Sequence, residues 1–181
     1  MKKLLCVIAS LMVVVASGCR YSRHYIDDME RQIPKRPNWS LKTESPDPEG
    51  LICYDCIYVA EITKEDLFFG GEYLFDVFRF YESGHVALRS FIDQQVSFDD
   101  LKTFEYSLIG YFKVVNGRLL IETYALTSGS SYTVREAVFT ENGFVVLSTR
   151  DERQLFQREY DYPDFEFRKE QVDIEFPKPD W

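Results

Sequence analysis

Leu108-Ile109-Gly110-Tyr111-Phe112-Lys113-Val114-Val115-Asn116-Gly117-Arg118-Leu119-Leu120-Ile121-Glu122-Thr123-Tyr124-Ala125 reads as two strands joined by a two-residue turn. Asn-Gly is a strong hairpin signal, because both central residues of such a turn need positive φ. Setting Val115 opposite Arg118 pairs Val114 with Leu119, Phe112 with Ile121, Gly110 with Thr123 and Leu108 with Ala125. Every residue on that face is apolar or small. The other face carries Lys113 opposite Leu120 and Tyr111 opposite Glu122. A one-residue slip would reverse every side chain, so the pattern predicts one inward and one outward face.

The turn at Glu82-Ser83-Gly84 admits two registers. A two-residue loop sets Phe78 opposite Arg89, which mixes the faces. A three-residue loop with Gly84 in the left-handed region pairs Phe80 with Val86, Phe78 with Leu88, Asp76 with Ser90 and Leu74 with Ile92. The second divides more cleanly and turns Asp76 and Ser90 inward among hydrophobic residues. Asn142-Gly143 marks a further hairpin, but both of its registers leave apolar residues on both faces.

Working outward, period-two alternation predicts strands near 54–62, 73–81, 85–91, 107–115, 118–125, 131–140, 143–150 and 153–160. Fifteen Phe and twelve Tyr supply strand-forming composition. Ser97-Phe98-Asp99-Asp100-Leu101 has the form of a capped helical turn, and a last alternating piece runs from Val172 to Phe176. The expected fold is all-β: a single eight-stranded antiparallel up-and-down barrel over residues 51–161, with a two-sheet sandwich as competitor. At eight strands the interior either fills with side chains or holds one small ligand. Phe78, Phe80 and Phe112 all point inward and favour filling.

The N-terminus has the layout of a secretory signal: Met1-Lys2-Lys3, an apolar run to Ala16, then Ser17-Gly18-Cys19. That run is too short to span a bilayer comfortably. Its ending resembles the lipobox of bacterial lipoproteins. The resemblance implies removal of residues 1–18 and acylation of Cys19, whose chains would seat the protein in a lipid bilayer. Arg20 following it favours the bacterial outer membrane over the inner. An ordinary cleavage site and an uncleaved anchor remain open alternatives. Residues 19–50 are expected to form a spacer. Tyr21–Ile33 has room for a helical turn or two, and Pro34, Pro37, Pro46 and Pro48 end regular structure beyond it. Residues 162–181 are expected to form an acidic, aromatic tail.

Loss of residues 1–18 takes Lys2 and Lys3 and no acid, leaving 19 basic against 30 acidic residues, a net charge of −11. Such a chain is a poor partner for nucleic acid. Cys53 and Cys56 would remain as an even pair in an exported chain and are disulfide candidates, provided the backbone turns between them. Inert thiols or a metal or redox pair are the alternatives, although zinc wants four ligands and only His24 and His85 exist to help.

Phe78-Arg79-Phe80-Tyr81-Glu82-Ser83-Gly84-His85-Val86 and Ile109 to Glu122 resemble lipocalin-like domains of bacterial envelope lipoproteins. There, an aromatic strand turns at a glycine and a later Gly-aromatic strand pairs with an Ile-Glu strand. A weaker likeness, carried by Cys53-Tyr54-Asp55-Cys56, is to copper-homeostasis and surface-sensing lipoproteins. The Gly-Xaa-Trp of true lipocalins is missing from the first strand.

No catalytic constellation, phosphate loop, metal motif or cofactor signature is present, and His24 and His85 read as solvated. The expectation is a non-enzymatic envelope lipoprotein binding a small apolar or amphipathic ligand, with Asp76 and Ser90 as anchors and Gly110 leaving room beside them. The rival is a filled barrel that contacts or inhibits another envelope protein. A third reading is metal or redox sensing through Cys53 and Cys56.

Overall fold

The computed structural model describes residues 24–26, 31–34, 37–63, 73–92, 96, 98–105, 107–125, 131–151, 159–160 and 165–181. Residues 1–20, which include the expected signal and Cys19, lie outside the described residues. Within Tyr21–Ile33, which has room for a helical turn or two, the described residues form extended chain instead. β1 (His24–Ile26) and β2 (Gln32–Pro34) pair as a small antiparallel ribbon. Pro34 lacks an N–H to donate, and a ribbon edge is one of the few places a sheet accepts it.

The body is built from β3 (Cys56–Thr63), β4 (Tyr73–Phe80), β5 (His85–Ile92), the helical turn α1 (Phe98–Leu101), β6 (Leu108–Val115), β7 (Arg118–Ala125), β8 (Ser131–Thr140), β9 (Gly143–Asp151), β10 (Glu159–Tyr160) and β11 (Phe165–Gln171). β3 to β9 pair antiparallel in chain order, and β11 lies between β9 and β3, closing an eight-stranded barrel. Both predicted hairpins have the expected partners, from Val115↔Arg118 to Gly110↔Thr123 and from Phe80↔Val86 to Leu74↔Ile92. Asn116, Gly117 and Gly84 have φ of 54°, 71° and 81°, the left-handed values those turns require.

The closing strand is a correction. The eighth strand was expected at 153–160, but only β10 from that span is a described strand, and it pairs with Thr149 and Arg150 at the end of β9. Closure comes from β11, inside the supposed tail, so the barrel runs past residue 161 to Gln171. Phe165 and Phe167 pair with Val146 and Phe144, giving those inward residues an apolar row to meet. Val172–Phe176, read as alternating, has no strand pairing; it runs along the outer wall over Ile57, Val77 and Phe91.

The Asn142-Gly143 hairpin is also settled. Thr140 pairs with Gly143 and Phe139 with Phe144, so Phe144, Val146 and Ala137 enter the core. Gly143 is not a turn glycine: a Cβ there would sit 1.9 Å from the Phe167 carbonyl oxygen, where β11 crosses. An irregularity between Glu136 and Ala137 lets Leu147 bulge outward, exposed at 40%.

One end of the barrel is packed solid. Tyr58, Phe78, Phe80, Phe112, Phe144 and Phe167 are each at most 4% exposed. Their rings meet at 4.9–5.3 Å for Tyr58–Phe80, Phe80–Phe112, Phe78–Phe167 and Phe144–Phe167. Aromatic contacts at such distances add stabilisation beyond the burial of their area.

Residues 37–50, expected to be part of a spacer, lie against the barrel. Trp39 packs edge-on to Tyr132 at 4.9 Å and tilts over Tyr111 at 5.3 Å. The Val114 N–H donates to the Pro46 carbonyl at 2.6 Å. Arg31 pairs with Asp180 at 2.5 Å, joining the chain before this segment to the chain after β11.

Candidate binding site at the barrel mouth

The short turns lie at the aromatic end. The opposite end, the mouth, is where β3, β5, β7 and β9 end and β4, β6, β8 and β11 begin. Alternation carries each inward face toward that mouth, and its residue types change on the way. On β4 the inward row passes from Phe80 and Phe78 to Asp76; on β5 it passes from Val86 and Leu88 to Ser90. Asp76 also faces Ala60 on β3. From the far wall, Arg135 of β8 lies opposite Ile121 and Thr149, and Thr123 opposite Thr133.

These residues meet across the interior. The Ser90 hydroxyl donates to an Asp76 carboxylate oxygen at 2.5 Å. Arg135 Nη1 donates to Thr123 Oγ1 at 2.8 Å, and its guanidinium carbon stands 6.0 Å from the centre of the Phe78 ring. Arg135 therefore spans from β8 toward β4, above the aromatic floor. Asp76 keeps some accessible surface, yet protein atoms crowd out most of its water. Burial pushes its carboxyl above the ordinary value; the Ser90 hydrogen bond and the Arg135 charge pull the other way without cancelling it.

Asp76 and Ser90 are thus neighbours inside the mouth, as the hairpin register required. Arg79 and Arg89, neighbours of Asp76 and Ser90 in sequence, lie on the opposite face of their strands. Arg135 and Thr123 were missed as members of the site. Thr123 was already on the inward face of the Asn116-Gly117 hairpin. Arg135 depends on how β7 meets β8, and no short turn joins those strands to declare it.

Gly110 does not make room for a ligand. A Cβ there would lie 1.8 Å from the Glu122 carbonyl oxygen, so glycine serves the close approach of β6 and β7. Cys53 and Cys56 sit away from the mouth, where the chain leads into β3. They are joined as a disulfide with Cα atoms 5.4 Å apart, across a turn at Tyr54-Asp55. In that state neither sulfur is a thiolate able to bind metal. Among the described residues no three His, Cys, Asp or Glu side chains gather as a metal site.

No family model, curated protein or solved structure matches this chain. The site is therefore read on its own geometry.

His85 is not the solvated turn residue expected. Its Nδ1 lies 2.8 Å from Ser83 Oγ, its Nε2 lies 2.9 Å from the Trp181 carbonyl oxygen, and its ring packs 4.6 Å from Tyr111. Burial lowers its pKa, with the Trp181 contact opposing. It holds the C-terminal segment to the wall and takes no part in the mouth.

Proposed function

We propose that this chain is a non-catalytic binding protein, anchored in the bacterial outer membrane through an acylated Cys19, whose barrel mouth takes a small amphipathic ligand. One observation carries the binding reading. Ser90 turns into the barrel yet is exposed, whereas Val86 and Leu88 on the same face are 0% and 3% exposed. The inward surface is therefore dry at one end and reachable from solvent at the other. Asp76, Ser90 and Arg135 would fix a polar group, with Ala60, Ile62 and Leu108 beside the apolar part. Apolar walls with few polar anchors are the usual build of a small-molecule site. The aromatic floor limits depth, which favours a compact guest over a long acyl chain.

The same floor supports a second reading, an interaction module that uses loops and outer wall against another envelope protein. Titrating the isotope-labelled full-length protein with hexanoate and with hexylamine separates the two. Binding at the mouth shifts amide resonances at Asp76, Ser90, Thr123 and Arg135, and Asp76→Leu weakens the response without unfolding the barrel. No response from either amphiphile, with the protein folded, turns the reading to the interaction module. Mass spectrometry of the mature N-terminal peptide checks the anchor: an unmodified Cys19 or a retained Met1 removes it.

A further inference from the structure

Asp76 turns its carboxylate into the barrel and leaves half of it unused. Oδ1 accepts the Ser90 hydroxyl at 2.5 Å, the one hydrogen bond this side chain makes among the described residues. Oδ2 is not among the fully buried polar atoms that lack a partner, so it opens on the mouth. None of the ion pairs among the described residues includes Asp76.

Ser90 has no donor left to offer. A serine hydroxyl carries one hydrogen, and here it is directed at Asp76, so Oγ presents only lone pairs. Ala60, opposite Asp76 on β3, and Leu88, the inward residue before Ser90 on β5, bring no polar side-chain atom. Backbone groups nearby are engaged in the β3–β4–β5 ladder. The corner is therefore an all-acceptor one with apolar walls at Ala60, Ile62 and Leu88. Arg135 is the charged group that faces it from β8. It is bonded to Thr123 and acts on Asp76 through its field. Burial outweighs that field and raises the Asp76 carboxyl, the response of a charge with no counter-charge in contact.

We propose that this corner holds the primary ammonium group of a compact amphiphile, so that the ligand of the mouth is an amine and neither a fatty acid nor an alcohol. The assignment rests on the reading of the mouth as a ligand site. An ammonium has three donors and no acceptor, which matches Asp76 Oδ2 and the Ser90 lone pairs. It also brings the counter-charge that a half-buried carboxylate needs. A carboxylate would set acceptors against acceptors, and a hydroxyl would bring one donor and no charge. The field of Arg135 opposes a second cationic group, which limits the guest to a single ammonium.

The test is titration of the isotope-labelled full-length protein with hexylamine, hexanol and hexanoate. Mildly alkaline pH keeps the amine charged and ionises a raised carboxyl. Saturable shifts of the Asp76 and Ser90 amides are expected, with hexylamine several-fold tighter than hexanol and hexanoate weakest. With a formal charge of −9 the chain also attracts amines to its surface, and Asp76→Asn separates the two effects. In that variant, folded by its amide spectrum, hexylamine should fall to the affinity of hexanol while hexanol is unchanged. Ser90→Ala keeps the charge and should keep the preference for the amine. Hexanol or hexanoate binding at the mouth as tightly as hexylamine overturns the amine assignment and leaves the mouth reading standing. Undiminished hexylamine binding in folded Asp76→Asn does the same. Absence of mouth shifts with all three compounds overturns the mouth reading, and this assignment with it.

Discussion

Asp76 and Glu122 are both acids on barrel strands, one turned into the barrel and the other turned out. The usual expectation is that the inward one is the drier, and here the outward one has less accessible surface. Asp76 opens to the mouth and retains accessible surface, whereas Glu122 is 0% exposed. The reason lies in what covers each wall. Residues 37–41 lie across Glu122 and bring donors with them. Ser40 N–H and hydroxyl both bond Oε1 at 3.1 Å, and the Leu41 N–H bonds Oε2 at 2.9 Å. Charge-assisted bonds of this kind are roughly twice as strong as neutral ones. Among the described contacts Asp76 has the Ser90 hydroxyl and the field of Arg135, which do not overcome its desolvation. The contrast suits a structural acid on the outside and an adaptable one at the proposed binding mouth.

The largest way to break that contrast is to remove the floor beneath the mouth. Phe144→Ala, at a side chain 0% exposed, should cost about 3–5 kcal/mol in urea unfolding and admit water to both halves of the barrel. Wild-type-like stability in that variant would mean that the two ends are not separate compartments.

Glu122→Gln attacks the outer acid. Loss of charge from its bonds to the segment should cost about 1.5–3 kcal/mol. Hydrogen exchange should then quicken at the Ser40 and Leu41 amides while staying slow in β6 and β7. Uniform quickening across the barrel would show that the covering segment and the wall unfold together.

Asp76→Asn should have the smallest effect and the opposite sign. The folded-state pKa of Asp76 is raised, so the folded protein holds its proton more tightly than the unfolded chain does. Its contribution is present below the unfolded value and is lost as pH rises from there through the raised folded value. Wild-type protein should therefore gain stability on acidification across that window relative to Asp76→Asn. Below the window the two should agree within about 0.5 kcal/mol. A wild-type loss relative to Asp76→Asn over the same range would mean that Arg135 dominates and the mouth is an ion pair.

The mouth was half legible before the fold. Asp76 and Ser90 are joined by a hairpin whose glycine allows one clean register, so their shared inward position follows from neighbouring residues alone. Arg135 reaches them from the far side of the barrel. Glu122 was legible only as outward-facing, because covering it takes a segment more than eighty positions away in the chain. The closing strand hid for a similar reason. β11 has one well-patterned half, Phe165 to Phe167, and an exposed polar half, Arg168 to Gln171. Its place is chosen by the open edges of β9 and β3.

By itself, then, the chain determined what alternation and turn chemistry can encode: an all-β body, two hairpin registers and an inward pair at Asp76 and Ser90. These depend on steric limits at Gly84, Asn116 and Gly117, acting between residues close in sequence. Only the tertiary structure decided which strand closes the barrel, which wall is covered and which acid is dry. Those outcomes depend on burial and hydrogen bonding between distant segments, and no local pattern specifies them.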